Sequence, residues 1–154
     1  MRAVARRWLA LHAEIQAHEQ ELDRMVRCRA PALMASHGIS TITVAEMLIL
    51  VRDNPERIKS EAALAKMYGV CPIPASSGKT IRMRLNRGGN RQANASIYRV
   101  AIVRMRDDEK TKVYATRRTA EGKTRREIVR CIKRYIIREI YRHLCAPPDL
   151  LRAD

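Results

Sequence analysis

Apolar residues recur at helical spacing near both ends of the chain, and this periodicity constrains the fold more than any other feature. Near the carboxyl end they stand four residues apart, on one face of a helix, at Ile128, Ile132, Ile136, Ile140 and Leu144. Near the amino end steps of four and three alternate, at Val4, Trp8, Leu11, Ile15, His18, Leu22 and Met25. No stretch shows the alternation of apolar and polar residues that a half-buried strand requires. The sequence therefore predicts an all-α fold.

The amino-terminal pattern is typical of a coiled coil. The seam from Val4 to Met25 spans about three heptads, and most of the neighbouring charges lie off it. Such a seam either packs on the chain's own domain or pairs with a second copy, and the sequence leaves both open. We expect a homo-oligomer formed through this seam.

Prolines, glycines and caps divide the rest of the chain. Ser60 predicts the start of a short helix, Asp107 and Asp108 interrupt a helical pattern, and Thr124 with Glu127 predicts a capping box that opens the last helix. Pro31 ends the first helix, because proline cannot continue one. The segment GISTIT at 38–43 predicts a turn between two short helices, with Thr43 and Glu46 as a capping box. This is either a helix-hairpin-helix-like element, whose free amides hold phosphate, or an ordinary helical hairpin in a core. We predict a coiled-coil-like helix at 1–29, a compact helical domain at 30–145 and a disordered tail at 146–154.

Positive charge is concentrated in one part of the sequence. The net charge is +15, and residues 79–142 alone hold 20 Lys and Arg against 6 Asp and Glu. A basic part joined to a nearly neutral part favours a polyanionic partner. No apolar run is long enough to cross a membrane, and the amino terminus lacks a signal-peptide pattern, so we predict a cytoplasmic protein. Cys and His spacings predict reduced thiols and no metal site.

A Pro-, Ser- and Gly-rich segment, PIPASSGKT at 72–80, sets two hydroxyls beside clustered cations. Small polar groups and cations together suit a phosphodiester backbone. The end of the segment matches part of a nucleotide-binding loop, but Ile73 stands where that loop needs glycine, which excludes an ATPase. Ser76 and Ser77 are either ordinary turn residues or, with a base or metal from elsewhere, a nucleophile.

Four sequence blocks in this order resemble a known family: GISTIT, GVCPIPASSGKT, RMRLNRGGNRQANASIYRVAIVRMR and EGKTRREIVRCIKRYIIREIYRHL. The order is similar to the C-terminal transposase domain of the insertion sequence 110/116/902 family, from about Pro31 onward. The helix before Pro31 resembles that family's coiled coil. The resemblance implies that Ser77, which precedes Gly78, attacks DNA and forms a covalent phosphoserine, with Ser76 as second choice.

The resemblance implies that Arg87, Asn90 and Arg91 hold nucleic acid beside the serine. We expect the clustered cations Lys79, Arg82 and Arg84 to contact phosphate as well. The run from Arg87 to Arg91 carries one glycine more than the family pattern. Family members have an N-terminal RuvC-like domain whose carboxylates bind divalent metal, whereas this chain begins at the coiled coil. We therefore expect the C-terminal part of a transposase, inactive alone, with no cofactor of its own and with Mg²⁺ bound only by the missing domain.

The implied partners are DNA and, as for other family members, a guide RNA; no membrane is expected. One alternative is a non-catalytic nucleic-acid-binding remnant or regulator that pairs with full-length transposase. Another is an RNA-binding protein of ribosomal type, which the pI of about 10.5 would suit.

Overall fold

A computed structural model describes residues 1–52, 55–74, 83–84 and 86–145. In these ranges the chain forms seven α-helices, one 3-10 turn and a two-stranded antiparallel ribbon, so the all-α prediction is confirmed. The elements in chain order are α1 (Arg2–Arg29), α2 (Pro31–Met34), α3 (Thr41–Arg52), the 3-10 turn (Pro55–Arg57), α4 (Glu61–Met67), β1 (Ile73–Pro74), β2 (Met83–Arg84), α5 (Arg91–Asp107), α6 (Glu109–Ala120) and α7 (Arg125–Leu144).

The core lies where α5 and α7 pack against each other, with α3, α4 and α6 around them. The four-residue stripe of α7 faces this core: Ile128, Ile132, Ile136 and Ile140 are all buried. Burying an isoleucine side chain contributes roughly 1.5–3 kcal/mol, so this stripe is the main reason why α7 stays in place. The predicted face of the last helix is therefore confirmed.

Local capping sets where the helices begin. The Ser60 hydroxyl accepts a hydrogen bond from the Ala63 amide at 3.2 Å, which starts α4 as the sequence predicts. Thr124 and Glu127 form the predicted capping box at the start of α7. Asp108, where the sequence predicts an interruption, follows the last residue of α5, and its carboxylate caps α6 by accepting the Thr111 amide at 2.9 Å.

The predicted cap of α3 was wrong by three residues. Ser40, not Thr43, accepts the capping hydrogen bond, from the Thr43 amide at 3.3 Å. Thr43 lies inside the helix and is 3% exposed. Both hydroxyls fit a cap in sequence, but Ser40 comes first and leaves Thr43 to be buried.

The turn before α3 packs against the core. Gly38 has φ +74°, and a Cβ there would meet Cγ1 of Val103 at 3.1 Å. The Arg104 guanidinium donates to the carbonyl of His37 at 2.8 Å and pairs with Glu139. These contacts hold the turn between α2 and α3 against α5. The helix-hairpin-helix interpretation stays a prediction.

Most of α1 projects from the body. Every residue from 1 to 21 is exposed, and the helix first contacts the core through Leu22 and Val26. The Thr41 hydroxyl donates to Asp23 at 2.7 Å, which fixes the last turns of α1 to α3. The seam residue Trp8 is 61% exposed. The seam therefore offers an exposed surface to a second copy of the chain, but self-association through it stays a prediction.

The predicted boundary between residues 29 and 30 falls between α1 and α2, and separate folding of the two parts stays a prediction. The predicted tail at 146–154 lies outside the described residues. In the part of the chain that the structure describes, none of the helices combines the length and hydrophobicity of a membrane span.

Candidate nucleic-acid interface

Residues 75–82, which contain Ser76 and Ser77 and which we call the serine segment, connect two antiparallel strands of two residues each. Ile73 pairs with Arg84 and Pro74 pairs with Met83, so residues 74 and 83 are neighbours across the ribbon. Ser76, Ser77, Lys79 and Arg82 of the predicted site lie outside the described residues. The sequence did not predict the hairpin, because two residues are too few to show alternation.

One side of the hairpin borders an open basic cavity of about 940 Å³, which we call the hairpin groove. Pro72 and Met83 of the hairpin region lie on one wall, and the turn between α6 and α7 forms the other. The cations that line it are Arg118, Lys123, Arg125, Arg126 and Arg130. The groove therefore brings a strongly positive surface to the base of the serine segment.

One carboxylate, Glu127, lines the groove and lies close enough to Lys123 and Arg130 to interact with their charges, although it forms no salt bridge to either within the described ranges. Glu127 accepts hydrogen bonds from the amide and the hydroxyl of Thr124, both at 2.8 Å. The Thr124 amide, aided by its hydroxyl, lowers the pKa of Glu127, which stays ionised while it caps the helix. Arg118 pairs with Glu121 outside the groove lining.

The other four groove cations form no salt bridge within the described ranges. Arg125 and Arg126 also occupy the first turn of α7, where the helix dipole favours acidic side chains. Cations there cost the helix a few tenths of a kcal/mol each, roughly. Such a cost without a structural gain is typical of binding residues. Neither arginine was predicted as a site residue, although the position of both directly after a capping box was a readable signal.

A second cavity, which we call the glycine pocket, has a volume of about 600 Å³. Residues from both sides of the hairpin in the sequence line it, from Gly69 to Tyr98. It exists because Gly69 and Gly89 pack backbone against backbone. A Cβ at Gly89 would overlap Gly69 and come 2.9 Å from the carbonyl of Met67. The Asn90 amide donates to that same carbonyl at 2.7 Å. These contacts hold the segment before α5 against the end of α4.

The glycine pocket brings two of the predicted phosphate ligands together. Arg87 and Arg91 both line it, both are exposed, and neither pairs with a carboxylate of the described chain. Arg84 is exposed on β2. The side chain of Asn90 accepts the Ala93 amide at 3.0 Å and so caps α5, which leaves its amide NH₂ for other partners.

A buried lysine lies behind the floor of the glycine pocket. Lys133, 7% exposed, donates to the Asn94 side chain at 2.6 Å, and Asn94 donates to the carbonyl of Tyr68 at 2.6 Å. Burial lowers the pKa of Lys133 to about 8. Its ammonium also lies 5.9 Å from the ring centroid of Tyr98, which lines the pocket. Lys133 could not be singled out from the sequence, because its place on α7 looks like that of one more cation on a basic helix.

Metal-binding and reactive-thiol chemistry find little support among the described residues. No group of three or more His, Cys, Asp or Glu there could hold a metal ion. The four cysteines are free. Burial raises the pKa of Cys145 to about 11, so this thiol is protonated and unreactive at neutral pH.

Comparison with known proteins agrees with the chemistry of this region. The family described as "Transposase IS116/IS110/IS902 family" matches residues 30–116, which include the hairpin and the residues lining the glycine pocket. A Streptomyces coelicolor protein, described as an uncharacterized 43.6 kDa protein of insertion element IS110, is 30% identical over 118 residues. The alignment covers 75% of this chain and 29% of that protein. This chain therefore corresponds to less than a third of the relative.

Proposed function

The chain belongs to the IS116/IS110/IS902 transposase family, and from that premise we propose that it is a DNA-binding domain that acts in transposition of an insertion sequence. One observation carries the proposal: the two strands that flank the serine segment in sequence stand beside a groove in which four of the five cations form no salt bridge within the described ranges. Unpaired cations attract a nucleic-acid backbone and release its counterions. A domain of this kind works where the DNA is, so a cytoplasmic location is part of the proposal.

We further propose that Ser77 is the nucleophile. Its Oγ attacks a DNA phosphorus, the bond from phosphorus to one deoxyribose oxygen breaks, and that oxygen takes up a proton as a hydroxyl. Lys79, Arg82 and Arg84, together with Arg87 and Arg91, would balance the phosphate charge. A free serine hydroxyl is almost fully protonated, so it needs an activator. The described residues hold no carboxylate cluster to supply one.

The test uses this full chain with a separately added RuvC-like domain of the family and Mg²⁺. We expect a covalent adduct with DNA on a denaturing gel. Ser77→Ala should abolish the adduct and leave DNA binding nearly unchanged, whereas Ser76→Ala should keep most of it. An adduct that survives Ser77→Ala would overturn the assignment.

DNA binding itself is tested by a salt titration. If about five phosphates are contacted, the slope of log K against log salt should be about −4 to −5. Replacing Arg87 and Arg91 together by Ala should weaken binding to all sequences alike and make the slope shallower by about 2. A slope near zero for the unmodified chain would contradict nucleic-acid binding. The same titration with an RNA hairpin tests whether a guide RNA is also a partner.

The second candidate is a regulator that binds nucleic acid without catalysis and pairs with full-length transposase. The exposed seam on α1 favours it, because Leu11 and Ile15 are 39% and 54% exposed on a helix that the body does not cover. Changing both residues to Glu should give a smaller species by sedimentation at tens of micromolar, roughly the range of a weak pair. A wild-type chain that is already monomeric there would exclude pairing through the seam.

A further inference from the structure

The glycine pocket contains an aromatic ring that the proposed DNA contacts do not use. Tyr98 lies on α5 and lines the pocket, yet half of its surface is exposed, at 50%. An exposed ring on the wall of a concave site is a platform on which a planar group can stack. Within its lining residues the hairpin groove has no such ring.

The underside of this platform is positively charged. Lys133 lies over one face of the Tyr98 ring, at 5.9 Å from the centroid, and it is held there by Asn94. Because one face of the ring meets the ammonium, a stacked base would use the opposite face. No carboxylate of the described chain pairs with Lys133, so the floor of the pocket favours an electron-rich ligand.

The rim of the pocket supplies cations and an amide. Arg87 and Arg91 lie at the entrance with no ion pair in the described ranges. The carbonyl oxygen of the Asn86 side chain accepts from the Gly88 amide at 2.9 Å, which leaves the NH₂ of Asn86 pointing at no partner in that part of the chain. These groups match the three parts of a nucleotide. The cations at the rim suit its phosphate, the ring on the wall suits its base, and the free NH₂ of Asn86 suits its sugar.

We propose that the glycine pocket binds one unpaired nucleotide of a nucleic-acid strand, with its base stacked on Tyr98 and its phosphate at Arg87 and Arg91. The volume of about 600 Å³ lies within the usual range of small-ligand sites. A base inside a duplex cannot reach a concave pocket, so the nucleotide is single-stranded or extruded. This inference rests on the proposed function, because it assigns a base-binding role to a cavity beside the DNA-binding surface.

The experiment compares three variants of the full chain on a short single-stranded oligonucleotide, by fluorescence anisotropy. Tyr98→Ala should weaken binding about tenfold, since stacking of one base is lost. Tyr98→Phe should bind within about twofold of wild type, because the ring remains. Tyr135→Ala is the matched control: Tyr135 is also 50% exposed, but it packs on Tyr114, away from the glycine pocket.

A second arm keeps the protein unchanged. The base of each oligonucleotide position is removed in turn, and one abasic position should lower wild-type affinity about as much as Tyr98→Ala does. In the Tyr98→Ala protein the abasic position should cause no further loss of affinity, since both changes remove the same contact. Running this arm with DNA and with RNA identifies which strand supplies the nucleotide, and this arm stays informative if Tyr98→Ala fails to fold.

The outcomes separate this inference from the proposed function. Equal binding by wild type and folded Tyr98→Ala, with no sensitive abasic position, would overturn the nucleotide pocket while duplex binding and the Ser77 adduct remained. Loss of all nucleic-acid binding in the wild type would instead overturn the proposed function. A Tyr98→Ala loss that Tyr98→Phe shares would also count against stacking, because it would point to the hydroxyl.

Discussion

The hairpin groove and the glycine pocket are both basic, but they are built differently. The groove is wide, and its free cations stand along the start of α7 at the surface. The pocket is smaller, depends on a backbone contact between Gly69 and Gly89, and has Lys133 buried behind it. The groove offers charge without a shaped receptor, whereas the pocket offers shape with a ring. A surface of the first kind follows a phosphate backbone, and one of the second kind selects a single unit of it.

Cations that bridge helices outside both cavities show a third arrangement, which sharpens this contrast. Arg104 forms two hydrogen bonds to Glu139, at 2.7 and 3.1 Å, and Arg134 and Arg138 share Glu61. These cations join elements of the fold. A high positive charge alone therefore does not separate binding residues from residues that join the fold, and the proposed binding residues are chosen because they lack a carboxylate partner within the described ranges.

The largest expected effect comes from the glycine contact on which the pocket depends. Gly89→Ala should lower the free energy of unfolding by about 3 kcal/mol or more, because the new methyl group overlaps the backbone of Gly69. Gly88→Ala is the control, since its Cβ would meet only the Asn86 side chain, at 3.3 Å. Urea unfolding measures both. Similar stabilities would mean that the pocket is not held by this contact.

The next effect tests the groove. Replacing Arg125, Arg126 and Arg130 by Ala should weaken duplex binding by about two orders of magnitude at 0.1 M salt and make the log–log slope shallower by about 3. The helix should lose no stability, because cations leave the positive end of its dipole.

The matched control for the groove replaces three arginines that already have carboxylate partners on the surface: Arg24, Arg27 and Arg106. The total charge removed is the same, but the slope should stay close to that of wild type. If both triple variants change the slope alike, binding depends on net charge and the distinction between paired and free cations fails.

The smallest effect tests the buried charge behind the pocket. The pKa of Lys133 is lowered to about 8 from 10.5, so between these values the unfolded chain binds more protons than the folded one. Wild-type stability should therefore rise with pH across this window relative to Lys133→Met, by about 2 kcal/mol. Urea unfolding of both proteins at pH 7 and pH 10 measures the difference, and other titrating groups cancel in the comparison. Parallel pH profiles would show that Lys133 is not desolvated.

Local features of the sequence predicted the helices well. The face of α7 and the caps at Ser60 and Thr124 were readable because each depends on residues within one or two turns. The start of α3 was missed because Ser40 and Thr43 compete within three residues, and burial decides between them. Charge concentration in residues 79–142 was also readable, but not which cations are free.

The two cavities could not be predicted, because each joins distant parts of the chain. The groove needs Met83 beside Arg118 and Arg130, and the pocket needs Gly69 against Gly89. Neither contact leaves a periodic trace in the sequence. The extra glycine relative to the family pattern was visible, yet its reason, a close approach of two backbones, appears only in three dimensions. The roles of Ser77, Lys79 and Arg82 stay predictions.

The projecting part of α1 has a mechanical consequence. Its first 20 residues extend for about 30 Å from an anchor made by Leu22, Val26 and the Asp23–Thr41 hydrogen bond. A tilt of about 10° at that anchor moves the amino-terminal tip by about 5 Å, so a small rotation at the body becomes a large displacement at the tip. Each inserted residue turns the tip by about 100°, whereas seven residues restore its direction to within about 20° and add about 10 Å. Insertions or deletions in this part of α1 should therefore keep the direction of its seam only when they comprise whole heptads.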